Sequence, residues 1–252
     1  MSRIVVALIT LTLLICSSAP SKADGGPTIL FDQGHNQRFL VGETGPLQLS
    51  SLGDIFREQG YTIATLKTPM TAESLASADA LVISGAFNQF TASEIDAVAA
   101  FLDRGGRLAV MLHIGPPLTQ LLDRLGIVVA SGVMHERENI IKEEDLNFRV
   151  TKLEPGPLTQ GLRHFSLYGG WALLNSGSNT AVVASTGERA WIDLNKDRKF
   201  SEGDAVQSFA VAVSGTFGKG RFVVFGDDAI FQNQYLDEMN TILATNLAKW
   251  LK

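Results

Sequence analysis

The chain has 252 residues, a formal net charge of -5 and a sequence pI near 5.4. This length suffices for one large α/β domain or two small ones. The mild acidity provides no electrostatic footprint for nucleic acid or anionic lipid, so we expect no nucleic acid among the partners.

The first residues have the organisation of a secretory signal peptide. Arg3 supplies a positive n-region, and Ile4 to Ile15 form an apolar stretch shorter than the roughly 20 residues that span a bilayer. Ser21-Lys-Ala23 offers small residues for cleavage. We therefore expect a signal peptide at 1–23 and a single periplasmic or secreted domain at 24–252 with no stable membrane span; an uncleaved anchor is the alternative. Cleavage would remove Cys16, the only cysteine, and with it any thiol nucleophile or disulfide.

The next hundred residues alternate strand and helix patterns. Continuous apolar runs predict buried strands at 29–31, 61–66, 79–84 and 107–112. Apolar residues at helical spacing predict helices at 47–56, 91–104 and 118–125. Thr91 to Glu94 form a capping box at the start of the second helix. This alternation predicts an α/β fold, with a doubly wound, mostly parallel sheet covered by helices on both faces.

From Ile127 the pattern changes to short strands and loops. Strands are predicted at 180–185, 189–194, 208–213 and 221–225, as antiparallel additions to the sheet in the carboxyl-terminal half. Gly218-Lys-Gly220 predicts a tight hairpin turn between the last two strands. The charged stretch Glu136 to Asp145 is expected to be a solvated surface segment, and 233–251 a closing helix.

Polar side chains follow the predicted parallel strands. Because open α/β sheets bind ligands beyond the carboxyl ends of their strands, we expect a pocket for a small molecule or glycan there. Its predicted members are Asp32, His35, Asn36, Ser84, Asn88, His113, Asp227, Asp228 and Asn233. Such a group could bind sugar hydroxyls, hold a divalent metal or perform acid–base chemistry. The alternative is that the carboxylates cap adjacent loops and the histidines bond the backbone.

Two further alternatives concern the same region. Ser84 could be a nucleophile, but the Gly-x-Ser-x-Gly elbow is absent around it. Phe87, Trp171 and Trp191 could stack on a sugar ring, or belong to the core.

Residues 193–204 have the spacing of a calcium-binding loop. Its predicted ligands are Asp193, Asn195, Asp197, Lys199 through its carbonyl, Ser201 and Asp204. Arg198 occupies the sixth position, where the sharp turn favours glycine, and the last position holds aspartate rather than glutamate. We expect calcium to be structural here; a solvated turn between two strands is the alternative.

Two motifs carry a family resemblance. Phe31-Asp-Gln-Gly-His35 with Phe39, and Gly218-Lys-Gly-Arg-Phe-Val-Val-Phe-Gly-Asp227 followed by Asn233, resemble the class I glutamine amidotransferase-like superfamily. Within it the chain is most similar to the branch of gliding-motility ABC-auxiliary and intraflagellar-transport amino-terminal domains. The resemblance implies a flavodoxin-like scaffold.

The chain departs from that superfamily at the catalytic elbow. Amidotransferases place a cysteine after the strand that is here 107–112, whereas this chain has His113-Ile-Gly115. Glutamine hydrolysis through a thiolate is therefore excluded, and a carbohydrate-binding role has been suggested for the branch. Two hypotheses follow: an extracytoplasmic ligand-binding or accessory protein without catalysis, or a hydrolase that uses Asp32, His35 or Asp227 as acid and base.

Overall fold

The structure is a computed structural model that describes residues 25–252, and the predicted signal peptide lies outside the described residues. The first half alternates strands and helices, as the sequence predicts. Its elements are β1 (Thr28–Asp32), α1 (Ser50–Glu58), β2 (Thr62–Leu66), β3 (Ala80–Ser84), α2 (Ala92–Asp103), β4 (Arg107–Met111) and α3 (Thr119–Arg124).

The second half consists mainly of strands and closes with a helix. Its elements are β5 (Ile127–His135), β6 (Ile140–Ile141), β7 (Glu144–Val150), β8 (Lys152–Leu153), β9 (Phe165–Tyr168), β10 (Trp171–Asn175), β11 (Thr180–Ser185), β12 (Trp191–Ile192), β13 (Ala205–Val206), β14 (Ala210–Phe217), β15 (Gly220–Phe225) and α4 (Glu238–Trp250). Short 3-10 turns lie at Pro116–Leu118, Ala229–Phe231 and Asn233–Tyr235. The closing α-helix thus begins later than predicted, at an Asp237 cap that accepts the N–H of Asn240.

One large mixed sheet organises the described chain. Strands β2, β1, β3, β4 and β15 lie side by side in that order and are parallel. On the far side of β15, strand β14 pairs antiparallel and leads to β10, β5, β12 and β13, while β11 and β8 branch from it. Strands β6, β7 and β9 form a separate sheet. The predicted α/β fold with antiparallel additions is confirmed, and the parallel strands direct their carboxyl ends to one edge.

Helices cover both faces of the parallel strands. One apolar cluster includes α1 and α4 through residues such as Phe56 and Leu247, and the other includes α2 and α3 through Phe101 and Leu122. Full burial of one such side chain contributes about 1.5–3 kcal/mol to stability. In the part of the chain that is described, no helix is both long and apolar enough to cross a membrane.

Two predictions about loops have different outcomes. The hairpin turn is confirmed, because Phe217 pairs with Gly220 and Gly218 between them has φ +55°. The prediction that 136–145 is a solvated segment is wrong at Glu136, which is 1% exposed. Its carboxylate accepts the backbone N–H groups of Arg137 and Gly187 at 2.8 and 2.9 Å, and these bonds compensate its burial.

Candidate ligand-binding site

His35 is held between two carboxylates just beyond the end of β1. Its Nδ1 lies 2.8 Å from Oδ2 of Asp32, and its Nε2 lies 3.0 Å from Oε1 of Glu94. The ring is stacked on Phe90 with a centroid distance of 3.7 Å. Because acceptors lie at both nitrogens, the doubly protonated imidazolium is the form that satisfies both bonds.

The electrostatics of His35 agree with this geometry. Burial is the largest single effect and lowers its pKa, but the hydrogen bond and charge of Asp32, followed by Glu94, raise the pKa above its ordinary value. His35 is only 4% exposed, and both ring nitrogens are engaged. This cluster therefore fastens the loop after β1 to the start of α2, and it presents no ring nitrogen to a ligand.

The second histidine, His113, follows β4 and is held differently. Its Nδ1 lies 3.0 Å from Oδ1 of Asp228, which is fully buried, while 38% of the His113 side chain is exposed. The hydrogen bond to Asp228 is the largest cause that raises the pKa of His113, and burial opposes it. With Nδ1 taken by the carboxylate, Nε2 is the nitrogen that a ligand can use.

Aromatic rings flank His113 on the loops beyond β1 and β3. Phe39 lies edge-on at 4.9 Å and Phe87 lies at 5.3 Å between ring centroids. The guanidinium of Arg38 sits 4.4 Å above the Phe87 ring. The site therefore combines a partly exposed imidazole, apolar walls and a cation.

Two buried polar atoms beneath the site have no hydrogen-bond partner within residues 25–252. They are Oδ2 of Asp228 and Oγ of Ser84. Gly85 follows Ser84 and has φ +60°. A Cβ on Gly85 would lie 2.6 Å from Oδ2 of Asp228. An unsatisfied buried polar group costs stability, so these two atoms lower the stability of the fold at the edge of the sheet.

Asp227 bonds backbone N–H groups, whereas its neighbour Asp228 bonds His113. Its Oδ1 accepts the N–H of Ala229 at 2.8 Å, and its Oδ2 accepts the N–H of Tyr168 at 2.6 Å. Burial is the largest cause that raises its pKa to about 8, and the charge of Asp228 adds to this. Burial likewise raises the pKa of Asp228, although the hydrogen bond from His113 opposes it. Asp227 thus joins β9 to the end of β15.

The remaining predicted pocket residues are spread along the same loops. Asn36 is exposed with φ +58°, and Asn88 is exposed while its N–H donates to the carbonyl of His35. The side chain of Asn233 bonds the N–H of Ser51 and the carbonyl of Gly45, which anchors the start of α1. Asn233 therefore supports the scaffold through its own side chain.

The tryptophans serve the scaffold as well. Trp171 donates its indole N–H to the carbonyl of His113 at 3.1 Å, and Trp191 is 2% exposed. Only Phe87 among the three predicted aromatic candidates lies beside the imidazole of His113.

Sequence reasoning missed three contributors. Glu94 was predicted as a helix cap and not as a partner of His35, and Arg38 and Phe39 were not predicted as neighbours of His113. Arg38 and Phe39 follow the end of β1 within seven residues, which was the available signal for them, whereas no sequence pattern indicated the contact of Glu94 with His35.

The predicted calcium loop is a network of side-chain-to-backbone bonds. Asp193 accepts the N–H groups of Lys196 and Arg198 at 2.6 and 2.8 Å, and both residues have positive φ. Asp204 accepts the N–H of Ser201 at 2.7 Å. Across residues 25–252, no group of three or more histidine, cysteine or acidic residues is arranged to hold a metal. Structural calcium stays a prediction.

Comparison with known proteins gives relatives in sequence and fold. The chain is 26% identical over 219 residues to the mouse intraflagellar transport protein 52 homolog, covering 76% of this chain. It spans about half of that relative's length, 48%. The fold matches the mmIFT52 N-terminal domain with a TM-score of 0.72 at 23% identity, covering 88% of this chain and 96% of that one.

A second structural neighbour is a ThuA-like protein from Bacteroides uniformis. It has a TM-score of 0.54 at 11% identity, with 92% of this chain and 95% of that chain covered. ThuA-like proteins have a class I glutamine amidotransferase-like fold, so neighbours of that fold class are confirmed. A family model described as "Domain of unknown function (DUF4350)" matches residues 42–248, and the chain therefore belongs to the DUF4350 family.

Proposed function

We propose that the protein is an extracytoplasmic ligand-binding or accessory protein, and that a small hydroxyl-bearing ligand such as a carbohydrate binds at His113. The single observation that supports this is a partly exposed imidazole fixed from below by a fully buried carboxylate, Asp228, at the carboxyl edge of the parallel strands. That edge is where open α/β sheets bind their ligands.

A comparison of the two carboxylate-held histidines that follow parallel strands, His35 and His113, favours His113. His35 uses both ring nitrogens within the protein and is buried, which is the arrangement of a structural ion pair. His113 uses one nitrogen and exposes the ring. Burial of a carboxylate costs stability. The buried carboxylate of Asp228 fixes the orientation of the partly exposed His113 ring.

The surroundings of His113 suit a ligand with hydroxyl groups and an apolar ring face. The imidazolium can donate through Nε2 to a hydroxyl oxygen, while Phe39 and Phe87 supply flat apolar walls. Arg38 adds a second donor at the rim. Ligand pockets generally combine mostly apolar walls with a few fixed polar groups.

The order of the parallel strands supports a more specific fold assignment. The parallel strands follow the order β2-β1-β3-β4-β15, which corresponds to the 2-1-3-4-5 order of flavodoxin-like sheets. We infer a flavodoxin-like, amidotransferase-like scaffold in the gliding-motility and intraflagellar-transport branch. Likeness to the mmIFT52 N-terminal domain supports that branch.

Titration of neutral oligosaccharides into the protein and a His113→Gln variant tests the binding site. Glutamine can still bond Asp228, but it lacks the imidazole. We expect at least tenfold weaker binding, equal to about 1.4 kcal/mol. His135→Gln is the matched control, because His135 lies 3.0 Å from Asp145 in another histidine–carboxylate pair. Unchanged affinity in His113→Gln would refute the proposed site.

A hydrolase is the second candidate, and a specific observation favours it. Asp227 and Asp228 both have raised pKa values through burial, and Asp228 contacts the partly exposed His113. A carboxylic acid and an imidazole with shifted pKa values are the groups of general acid–base catalysis. Release of shortened products from a bound oligosaccharide, lost in Asp228→Asn, would favour this hydrolase; binding without turnover would favour the accessory protein.

The extracytoplasmic location rests on the amino-terminal sequence alone. Mass spectrometry of the protein from cells that express the full chain gives its first residue. We expect Asp24, after cleavage behind Ala23. An intact Met1 in the cytoplasmic fraction would contradict the signal peptide.

A further inference from the structure

A cavity of about 410 Å³ lies between the β6–β7 hairpin, the end of β9 and the 3-10 turn Asn233–Tyr235. We call it the tyrosine cavity; its lining residues are Ile141, Lys142, Asn147, Tyr168, Gln234 and Tyr235. Its volume is within the range of small-ligand sites, about 300–1,000 Å³.

Two tyrosines form an aromatic wall of this cavity. The rings of Tyr168 and Tyr235 are stacked with a centroid distance of 4.0 Å and an interplanar angle of 26°. Tyr168 is fixed by its backbone N–H, which donates to Asp227, and it lies directly opposite Asn147 in the β7–β9 pairing. Such a wall provides a large contact area with few rotatable bonds.

The polar side chains that line the tyrosine cavity are available to bond a ligand. Within residues 25–252, the amides of Asn147 and Gln234 and the amine of Lys142 make no hydrogen bond to another protein group. Two amides offer both donors and acceptors, and the ammonium offers donors only. Lys142 is the one charged residue among the described residues that line the cavity, and its ammonium can bond an anionic group. The carboxylates of Glu143 and Glu144 in the same hairpin, and of Asp227 and Asp237 near Tyr168, lie outside the lining.

The turn of the β6–β7 hairpin places Lys142 at the tyrosine cavity. Ile141 pairs with Glu144, so Lys142 and Glu143 form the two-residue turn, with φ +54° and +63°. That turn type prefers Asn-Gly, because only small or polar residues adopt positive φ readily. Lys142 and Glu143 therefore occupy turn positions that asparagine and glycine usually fill.

We propose that the tyrosine cavity binds one ring of an acidic saccharide, with the ring against Tyr168 and Tyr235, its hydroxyls bonded to Asn147 and Gln234, and its anionic substituent beside Lys142. This inference rests on the proposed function for the general class of ligand. It adds a second subsite and the requirement for negative charge. A carboxylate or a sulfate ester would provide the same charge.

Calorimetric titration of the protein purified from cells expressing the full chain tests this inference. The probes are an oligogalacturonide, a sulfated oligosaccharide and a neutral cello-oligosaccharide. We expect at least one acidic probe to bind more tightly than the neutral one, by about tenfold. Increasing salt should weaken this preference, because the charge pair is solvent-accessible. Equal binding of acidic and neutral probes, or absence of binding by both acidic probes, would overturn the inference.

Variants assign the effect to individual side chains. Lys142→Gln should remove the preference for the acidic probe, whereas Lys152→Gln, which breaks a surface pair with Glu188, should retain it. Tyr235→Ala should weaken binding of the acidic probe about tenfold, and Tyr235→Phe, which keeps the ring, should restore it. Wild-type affinity in Tyr235→Ala, or a preserved preference in a folded Lys142→Gln, would refute the subsite.

The variants distinguish refutation of the His113 site from refutation of the tyrosine cavity. If His113→Gln abolishes binding while Tyr235→Ala binds normally, the proposed function stands and the tyrosine cavity is refuted. If Tyr235→Ala and Lys142→Gln weaken binding while His113→Gln does not, the cavity stands and the His113 site is refuted.

Discussion

Replacement of His35 by leucine should destabilise the domain strongly. Leucine fills a similar volume against Phe90, so the main loss is the cation between Asp32 and Glu94. Removal of one partner from a buried ion pair costs roughly 3–5 kcal/mol. Both carboxylates retain other donors, among them the backbone N–H groups of Gly34 and Met70. We therefore expect a loss near the lower limit, about 3 kcal/mol, or a decrease in Tm of about 6–12 °C.

The destabilisation caused by His35→Leu should decrease as the pH rises. The folded chain raises the pKa of His35 above the ordinary 6.5, so the folded state holds its proton more tightly than the unfolded state does. The stabilisation is complete below pH 6.5 and declines as pH rises through the folded pKa. The difference between wild type and His35→Leu should thus be largest near pH 6 and smaller at pH 9. Because groups remote from His35 titrate equally in both proteins, the difference reports on His35 and on the two carboxylates that contact it.

Urea unfolding at pH 6, 7.5 and 9, followed by circular dichroism, measures this difference. His164→Leu is the control, since His164 is partly exposed and belongs to no ion pair among residues 25–252. We expect it to change stability by less than about 0.5 kcal/mol. A His35→Leu loss below about 1 kcal/mol, or a loss that does not diminish with pH, would refute the interpretation of His35 as a structural imidazolium.

Three other predictions concern the scaffold and the calcium loop. Gly85→Ala should cost about 2 kcal/mol in urea unfolding because φ is +60° and the Cβ meets a buried carboxylate, while Gly42→Ala, with open space around it, should be neutral; equal stabilities would contradict this. Asp227→Asn should cost about 1–3 kcal/mol, because an amide has one acceptor oxygen for two backbone N–H groups; wild-type stability would show that these bonds are dispensable. Calcium at a hundredfold excess over its Kd should stabilise the protein by about 2.7 kcal/mol in thermal melts, reversibly with chelator. A shift that persists in the double variant Asp193→Asn, Asp197→Asn would exclude the loop as its origin.

The local parts of the fold were predictable because their interactions span few residues. The capping box is present as predicted: Thr91 accepts the N–H of Glu94 at 3.3 Å, and Glu94 accepts the N–H of Thr91 at 3.0 Å. The Gly218-Lys219 turn follows from glycine's tolerance of positive φ. Continuous apolar runs sufficed to identify the parallel strands.

The site was only partly predictable because its contacts join distant residues. The other oxygen of Glu94 bonds His35, 59 positions earlier, and no periodicity reports that pairing. Asp227 and Asp228 look equivalent in sequence, yet one bonds backbone N–H groups and the other bonds His113. Asn233 anchors the start of α1 from 182 positions away. Sequence order located the sheet edge, and the packing of loops onto it decided which side chains remain available.

The availability of one ring nitrogen distinguishes His113 from His35 at this edge of the sheet. His35 and His113 both bond carboxylates, and both have raised pKa values, so electrostatics alone does not distinguish them. Exposure does, because a ring with both nitrogens bonded inside the protein has nothing left for a ligand, whereas a ring anchored at Nδ1 alone presents Nε2 in a fixed direction. His113 follows β4, at the position where the resemblance to amidotransferases implies a cysteine, and it presents an imidazole there. Because Nε2 of His113 is available for hydrogen bonding and proton transfer, binding of a hydroxyl-bearing ligand is the first function to test.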